Sequence, residues 1–373
     1  MKTQPPSMQN PSKTSRIHCE SSKLEFRQSL LVWFDAHQRD LPWRQNPSLY
    51  KTVVSEFMLQ QTRVSTVLPY FENWMTQFPN FKTLANAKEG EILKAWEGLG
   101  YYSRARNLHK LSKIAATWTK PPQSIADWKE LPGVGPYIAA AVTSISLSPA
   151  NAVCDGNVVR VISRLFTIGE IFRDGTTAQK KLLPQAQQLI CTNRPGDYNQ
   201  AMMELGATIC HRSSPLCALC PVLKWCVSGQ RGDYDHFPKI KPKAKKTAQV
   251  RRYWVEQKGR LLLHASDRTR LVGVYQLPDS LPIKETDIGL STELLVVCRR
   301  TIGQVEYEEE IVRVKQGLAL PSCLPAGYAW MDWSDMQSFT LSGPHRKWIA
   351  EIRQSATPPA GEDRGESSDK RTE

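Results

Sequence analysis

The chain has 373 residues, which leaves room for about two domains with buried cores and excludes a short peptide scaffold. Apolar residues make up 40% of it and charged residues 23%, so most of the chain is expected to fold. The net charge of +13 favours a polyanionic partner such as nucleic acid. No apolar run reaches the roughly 18 residues that span a bilayer, and the N terminus lacks the apolar core of a secretory signal. We therefore expect a cytoplasmic protein with no membrane partner.

The composition changes after the first residues of the chain. Residues 1–22 are mostly polar and are predicted to form a disordered extension. Apolar residues then recur at helical spacing through residues 23–232, with Gly, Pro or Asn turns between the segments and hardly any period-two alternation. This part is predicted to be one mainly α-helical domain.

Glu56 lies in an apolar helical segment of this domain. Its apolar neighbours would desolvate the carboxyl group, raise its pKa and allow it to hold a proton. The ordinary alternative for a single such residue is a Glu on a helix surface.

The segment LPGVGPYIAAAV, residues 131–142, predicts a tight turn that leads into a helix. Gly133 and Gly135 allow backbone conformations that a side chain would forbid, and the following Pro suits a first helical turn. Backbone N–H groups at such a helix start can hold a phosphate oxygen without reading a base. Gly133, Val134 and Gly135 are therefore candidate DNA-phosphate ligands, with a plain turn as the alternative.

Asp155 stands in the segment CDGNVVR, just before a helical pattern, where Asp and Asn commonly cap helices. The dipole of a helix N terminus would hold this carboxylate ionised, which is also what the stabilisation of a developing cation requires. Capping and catalysis are compatible functions for this residue.

Cys210, Cys217, Cys220 and Cys226 form a C-x6-C-x2-C-x5-C array within seventeen residues, short enough for one loop to wrap a single inorganic centre. The long first gap favours a [4Fe-4S] cluster over a structural zinc ion, and unligated thiols are a third possibility. A cluster with four thiolate ligands has no open position for substrate, so we assign the loop to structure and DNA contact.

The remaining part of the chain divides into three further segments. Residues 233–252 are predicted to be a basic linker, because their last fifteen positions hold seven Lys or Arg and no acid. Contact with phosphates and an inert tether are both open for this linker. Residues 253–352 carry β-branched and aromatic runs and a final helix, which predict a smaller α+β domain. Residues 353–373 are predicted to be a disordered tail.

The order of these motifs resembles one superfamily. The LPGVG hairpin, the DGN run about twenty residues later and the cysteine loop are similar to the helix-hairpin-helix DNA glycosylases, specifically their iron–sulfur branch, over about residues 24–230. Within that branch, LPWR, SEFMLQQT, GLGYY and NQAMMELGA resemble the MutY family of adenine DNA glycosylases. That family removes adenine mispaired with 8-oxoguanine.

The resemblance implies a monomeric, monofunctional glycosylase of base excision repair in the bacterial nucleoid. Its substrate would be adenine opposite 8-oxoguanine or guanine in duplex DNA. Glu56 would be the general acid for the departing base, and Asp155 would stabilise the sugar cation and act as a transient nucleophile. Asn157 would position Asp155, and Tyr137 would help to hold it.

The same resemblance implies a set of substrate-binding residues, because the adenine must leave the base stack to reach these groups. Two residues would act as a wedge in the duplex, one would contact the opposite base, and four would form the adenine pocket. The wedge residues would be Gln61 and Tyr101, and the contact with the opposite base would be made by Thr62. The adenine pocket would be formed by Leu41, Trp43, Arg44 and Gln200.

Two other functions remain open from the sequence. A glycosylase and lyase of the endonuclease III type, acting on oxidised pyrimidines, uses a Lys amine at the hairpin position where this chain has Tyr137. An aromatic hydroxyl cannot form an imine, which argues against that function. The third possibility is a noncatalytic DNA-binding module in which the carboxylates are ordinary cap and surface groups.

The resemblance weakens in the C-terminal domain, which would be a Nudix-like reader of 8-oxoguanine. Ile302, Gly303 and Gln304 occupy the place of a Phe-Ser-His wedge, and residues 271–274 the place of an LWGG-like turn. No catalytic Nudix helix is present in the sequence, so we expect no pyrophosphohydrolase activity. We expect the preference for 8-oxoguanine to fall while adenine opposite guanine is still accepted.

Overall fold

The computed structural model divides into two compact units, Met1–Ala244 and Lys245–Glu373. Within the described part, no helix has both the length and the apolar composition needed to cross a membrane. The residues that the structure describes are 17, 19–242, 244–265, 272–282, 291–315, 320–321 and 323–356.

The first unit is helical, as its apolar spacing predicted, and contains only two short strands among its described residues. Strand β1 (Ile171–Phe172) pairs in parallel with β2 (Lys239–Ile240). The helices are α1 (Glu20–His37), α2 (Leu49–Leu59), α3 (Val64–Gln77), α4 (Phe81–Asn86), α5 (Glu89–Ala95), α6 (Ser103–Ala115), α7 (Ile125–Lys129), α8 (Pro136–Val142), α9 (Gly156–Leu165), α10 (Gly175–Leu189), α11 (Pro195–Thr208) and α12 (Val227–Arg231).

The main core of this unit lies where α11 packs against α1 and α9, and where α9 also packs against α10. Gly206 on α11 is required for this packing, because a Cβ atom there would lie 2.5 Å from the Cβ of Asn157. The close approach fixes the start of α9 against α11. It therefore also fixes Asp155, which is the N-cap residue of α9.

The turn between α7 and α8 forms the predicted hairpin, and its two glycines differ. Gly133 has a φ of +76°, and a Cβ there would lie 2.6 Å from the Asn107 Cβ and 2.9 Å from a Phe57 ring carbon. Gly135 is the N-cap of α8 with a φ of −88°, and a Cβ there would meet no atom within 4 Å. The expectation that both positions exclude a side chain is thus wrong for Gly135, whose backbone any residue can adopt.

The second unit is the predicted smaller α+β domain. Strands β3 (Lys246–Trp254) and β8 (Val305–Val314) pair in parallel, and β8 pairs antiparallel with β7 (Thr292–Ile302). A second sheet is centred on β5, and helix α13 packs its Trp348 and Ile349 into the unit's core. The remaining elements are β4 (Glu256–Gln257), β5 (Arg260–Ala265), β6 (Tyr275–Gln276), β9 (Tyr328–Asp332) and α13 (Gly343–Ala356).

The predicted linker, residues 233–252, differs from the structure in its second half. Residues 246–252 form most of β3, and Arg252 is buried with its Nε 2.7 Å from an oxygen of the buried Glu309. Arg300 also forms an ion pair with Glu309. A basic composition indicated a solvated segment, but this long-range ion pair compensates the charge of Arg252 inside the unit.

The predicted disordered ends lie mostly outside the described residues. At the N-terminal boundary, Ile17 is buried and α1 already includes residues 20–22 of the predicted extension. At the other end, α13 continues to Ala356, four residues into the predicted tail. Residues 1–16, 18 and 357–373 are not described by the structure.

Gly133→Ala is expected to lower the free energy of unfolding by about 2 to 4 kcal/mol, because it combines an unfavourable positive φ with overpacking. Gly135→Ala, two residues away, is the matched control and should change it by less than about 1 kcal/mol. Urea unfolding of the full chain measures both. Equal losses for the two variants would contradict the conformational difference between the glycines.

Candidate active site

Two clefts of the first unit meet at one group of side chains. The larger cleft has a volume of about 1070 Å³ and the smaller one about 570 Å³, so both can take up a nucleotide-sized molecule. Glu56, Leu59, Tyr137 and Asp155 line both clefts. The two predicted catalytic carboxyl groups therefore lie at one junction rather than on separate surfaces.

Glu56 is carried by α2, which is apolar on nearly all sides and buried from Thr52 to Met58. Glu56 as a residue is only 6% exposed, and its Oε2 has no hydrogen-bond partner among the described residues. The pKa of Glu56 is raised to about 7. Burial is the largest cause, a hydrogen bond with Tyr137 lowers the pKa by less, and the negative charge of the nearby Asp155 contributes a further increase to this net value. The prediction from the apolar neighbours is confirmed, and Glu56 is partly protonated at neutral pH.

Asp155 caps α9, and both of its carboxylate oxygens accept hydrogen bonds. Oδ1 accepts from the Val158 N–H at 2.8 Å, and Oδ2 accepts from the Asn157 side-chain amide at 2.9 Å. The pKa of Asp155 is nevertheless raised, because its burial outweighs these hydrogen bonds. The capping prediction is confirmed, whereas the expectation that the helix terminus sets the pKa is not, since desolvation is the larger effect here.

Tyr137 lies in the first turn of α8 and extends to the same junction. Its pKa is raised well above the usual value by burial and by the neighbouring Glu56 and Asp155. Its hydroxyl donates to the Met203 sulfur at 3.4 Å. The neutral hydroxyl therefore places a hydrogen-bonding group beside both carboxyl groups.

The four predicted adenine-pocket residues, Leu41, Trp43, Arg44 and Gln200, all line the larger cleft. The Trp43 ring packs edge-on against Phe71, with a centroid distance of 5.3 Å. The Arg44 Nε donates to the Gln200 side-chain oxygen at 3.1 Å, and this hydrogen bond orients the two side chains relative to each other.

Glu204 is a residue of this site that the sequence analysis missed. It is 1% exposed, and its two oxygens accept from Arg39 at 2.7 Å and from Arg44 at 3.0 Å. The pKa of Glu204 is lowered in spite of its burial, because the two guanidinium groups outweigh desolvation. Its position in the apolar segment MMELGA was the available signal, and it is the same signal that identified Glu56.

The two predicted wedge residues, Gln61 and Tyr101, line the smaller cleft and have left-handed backbones. Their φ angles are +56° and +49°, which non-glycine residues rarely adopt. Both side chains are exposed. Thr62, predicted to contact the opposite base, lines the larger cleft next to them. Strained backbone at exposed side chains is typical of functional loops.

The predicted phosphate ligands of the hairpin do not line either cleft. The Val134 N–H donates to the Leu131 carbonyl at 3.1 Å, and its side chain is buried. Among the described residues, the N–H groups of Gly133 and Gly135 have no acceptor within the protein. These two amides, rather than that of Val134, are available to an anion.

The four cysteines of the array line one cavity together with Arg164, Leu223 and Tyr234. Burial raises the pKa of the Cys220 thiol to about 12 and that of Cys226 to about 11, so that a bound cation would be needed to keep them as thiolates. The Arg164 Nη1 donates to the Cys210 sulfur at 3.3 Å. Among the described residues, no three Cys, His, Asp or Glu side chains are arranged to hold one metal ion.

Helix α9 links this cysteine loop to the junction of the clefts. Arg160 donates through Nε to the Cys210 carbonyl at 2.7 Å and through Nη2 to the Asn157 side-chain oxygen at 3.0 Å. Asn157 in turn donates to Asp155. The orientation of Asp155 thus depends on a chain of hydrogen bonds that begins at the first cysteine.

The arrangement suits the cleavage of a bond to a leaving group that needs a proton. A buried carboxyl group with a pKa near 7 can donate that proton, and a second, hydrogen-bonded carboxylate can stabilise a cation on the other side of the bond. The two carboxyl groups differ in their surroundings, because Glu56 has an oxygen without a partner whereas both oxygens of Asp155 accept hydrogen bonds.

Comparisons with known proteins show which proteins this chain resembles. Residues 54–185 match the family model described as "HhH-GPD superfamily base excision DNA repair protein". Over 223 residues the chain is 43% identical to an adenine DNA glycosylase of Homo sapiens, and the match covers 57% of this chain and 41% of that protein. It is 36% identical over 220 residues to that of Buchnera aphidicola subsp. Acyrthosiphon pisum (strain APS), with 58% and 63% covered.

A solved structure of a thermostable thymine-DNA glycosylase is 25% identical, with a TM-score of 0.48, over 56% of this chain and 97% of that one. The chain spans 41% to 63% of the length of the two adenine DNA glycosylases named above. The predicted resemblance to the MutY family of adenine DNA glycosylases is confirmed, and residues 54–185 within the helical first unit match the HhH-GPD model.

Proposed function

We propose that the protein is a monofunctional DNA glycosylase that hydrolyses the N-glycosidic bond of adenine mispaired with 8-oxoguanine or guanine in duplex DNA. The observation that carries the proposal is the junction at which a largely desolvated Glu56 and a hydrogen-bonded Asp155 line the same two clefts. The similarity to adenine DNA glycosylases over more than 200 residues supports the choice of adenine.

In this proposal Glu56 donates its proton to the adenine ring, which makes the base a better leaving group. The raised pKa of Glu56 leaves a substantial fraction of it protonated at neutral pH. Trp43 and Leu41 would form apolar walls for the base, and Arg44 and Gln200 would bind its polar edge. Glu204 would hold Arg44 in place, because its carboxylate forms an ion pair with the Arg44 guanidinium.

Asp155 would face the sugar while the bond breaks. As an anion it stabilises the positive charge that develops on the deoxyribose, and it can form a transient bond to the anomeric carbon before water replaces it. The Asn157 amide and the Val158 N–H hold its two oxygens, so that the carboxylate does not have to reorient during the reaction. Tyr137 provides no amine for an imine, which favours hydrolysis without strand cleavage.

Extrusion of the adenine would rely on the smaller cleft. Gln61 and Tyr101 would enter the duplex, and Thr62 would contact the opposite base. Unstacking costs a few kcal/mol, which these contacts and those in the adenine pocket offset. The N–H groups of Gly133 and Gly135 would hold one phosphate of the same strand.

We further propose a [4Fe-4S] cluster bound by Cys210, Cys217, Cys220 and Cys226. Four thiols around one cavity are the right donor set, and the long first gap of the cysteine array favours a cluster over a single zinc ion. The cluster would supply structural cross-linking and positive charge for the thiolates. Arg164 would donate to the Cys210 sulfur, and Arg160 would connect the loop to Asn157.

The second unit would be a Nudix-like reader of the base opposite the adenine. Ile302, Gly303 and Gln304 form the tip of the β7–β8 hairpin, where Gly303 has a φ of +62° and Ile302 is 36% exposed. The Gln304 carbonyl accepts from the N–H of Lys246, which places a basic residue beside the tip. The turn proposed at residues 271–274 includes Leu271, which lies outside the described residues.

Single-turnover cleavage of duplexes with adenine opposite 8-oxoguanine, guanine or cytosine tests the activity. We expect base release opposite 8-oxoguanine and guanine, a loss of about 100-fold or more in Glu56→Gln, and retained mismatch binding. Because the acid must be protonated, the wild-type rate should fall as the pH rises through about 7.

The matched control for that experiment is Glu72→Gln, which alters an exposed carboxyl group of α3. It should cleave at the wild-type rate. Full turnover by Glu56→Gln would remove Glu56 from the mechanism. Covalent trapping by borohydride on an oxidised pyrimidine would support the lyase instead, and DNA binding without alkali-labile sites in any mismatch would support a noncatalytic module.

The purified chain is expected to contain iron and inorganic sulfide in equal amounts and to show the broad visible absorption of an iron–sulfur cluster. Cys220→Ser should lose both, because it removes one of the four thiolates. Cys191→Ser, outside the array, should retain them. Stoichiometric zinc without sulfide would contradict the proposed cluster.

A further inference from the structure

Arg104, on α6, is a buried cation that the proposed mechanism does not yet use. The residue is 6% exposed, and no carboxylate among the described residues forms an ion pair with it. Burial lowers its pKa only to about 10, so it remains charged at neutral pH. A buried cation without an acid must be held by other groups, since its desolvation is otherwise unfavourable.

One half of the guanidinium binds the C-terminal end of α2. Nη1 donates to the carbonyls of Phe57 at 3.1 Å, Met58 at 2.8 Å and Gln60 at 2.5 Å. Carbonyls at a helix C terminus have no partner inside the helix and carry partial negative charge. Arg104 therefore caps α2, the helix that carries Glu56, just before the loop with Gln61.

The other half binds a second loop. Nη2 donates to the carbonyls of Leu99 at 3.0 Å and Gly100 at 3.1 Å and to the Thr62 hydroxyl at 3.2 Å. The guanidinium carbon also lies 5.6 Å from the centre of the Tyr101 ring. One planar group thus joins the loop of Gln61 and Thr62 to the loop of Tyr101.

These two loops are the ones with left-handed residues at the smaller cleft. Gln61, with a φ of +56°, directly follows Gln60, whose carbonyl accepts from Arg104. Tyr101, with a φ of +49°, directly follows Gly100, whose carbonyl also accepts from Arg104. Such conformations persist only where the surroundings determine them. The six hydrogen bonds of Arg104 lie directly beside both residues and can hold the backbone in these conformations.

We propose that Arg104 is a positioning residue that holds Gln61 and Tyr101 together as a preformed wedge, an inference that rests on the proposed glycosylase function. Because both loops are already ordered before DNA binds, the entropy cost of ordering them is not added to the free energy of base extrusion. Arg104 acts on extrusion through these loops and does not touch the adenine. Its replacement therefore impairs the extrusion of a stacked adenine more than the cleavage of an unstacked one.

The test compares Arg104→Lys with the wild type on two substrates. Lys keeps the charge but cannot form the same planar set of hydrogen bonds. One substrate has adenine opposite guanine within a stacked duplex, and the other has adenine flanked by abasic sites, which is already unstacked. We expect the single-turnover rate to fall about tenfold or more on the stacked duplex and less than about twofold on the unstacked substrate.

Arg106→Lys is the matched control, because Arg106 lies on the same helix, is itself partly buried, and forms its ion pair with the exposed Glu89. It should cleave both substrates at the wild-type rate. A second readout is the fluorescence of 2-aminopurine in place of the target adenine, whose increase on protein binding should be reduced in Arg104→Lys. Equal rate losses on the two substrates would assign Arg104 a merely structural role and overturn the proposal.

Two further measurements keep the proposal falsifiable. In a Tyr101→Ala background, Arg104→Lys should cost much less on the stacked duplex than it does alone, whereas additive losses would overturn the positioning role. If Arg104→Lys does not fold, hydrogen exchange of the wild type decides. Slow exchange of the hydrogen-bonded amides of Thr62 and Leu99, one in each loop, supports a preformed wedge, and fast exchange of either amide contradicts it.

The failure of this proposal differs from a failure of the proposed function. If the wild type releases adenine from neither substrate, the glycosylase function is wrong. The 2-aminopurine signal and the hydrogen exchange would still report whether Arg104 organises the two loops.

Discussion

The burial of two carboxyl groups at one point is the constraint on which the site depends. An isolated carboxylate is strongly disfavoured in a desolvated environment, so each group must either hold a proton or find donors. Glu56, with one oxygen unpartnered in an apolar helix, is driven towards the protonated form. Asp155 keeps two donors, from Val158 and Asn157. The chemical asymmetry required for acid-assisted bond cleavage follows from this difference in surroundings.

The surrounding helices keep this asymmetry by fixing each carboxyl group from a different side. Asp155 is fixed at the start of α9, which Gly206 allows to approach α11 and which Arg160 ties to the cysteine loop. Glu56 is fixed on α2, whose end is capped by Arg104. An arginine thus binds backbone carbonyls beside each helix, the buried Arg104 at the end of α2 and the half-buried Arg160 on α9, and the hydrogen bonds of Arg104 also reach the loops that we propose to contact DNA.

Local features of the site were predictable from the sequence, because they depend on neighbours along the chain. The apolar surroundings of Glu56, the capping by Asp155 and the turn at Gly133 belong to this class, and the structure bears out each. The helical character of residues 23–232 and the α+β character of the C-terminal domain were predictable from periodicity in the same way.

Features that depend on distant pairing were not predictable. The ion pair between Arg252 and Glu309 converts the end of a basic segment into the buried strand β3, and composition alone indicated a linker. The ion-pair partners of Glu204, Arg39 and Arg44, lie 165 and 160 positions away in the chain, and the Arg104 acceptors from Phe57 to Thr62 lie 42 to 47 positions away. Neighbouring residues along the chain could not predict these contacts. The pKa of Asp155 depends on how deeply α9 is packed, which a capping pattern does not specify.

The protonation of Glu56 is the central claim, and infrared difference spectroscopy of the wild type against Glu56→Gln measures it directly. The account predicts a protonated carboxyl band, present at about pH 5 only in the wild type, which disappears as the pH rises through about 7. A Glu56 carboxylate that is already ionised at about pH 5 would contradict it, because the site would then hold two anions and no acid.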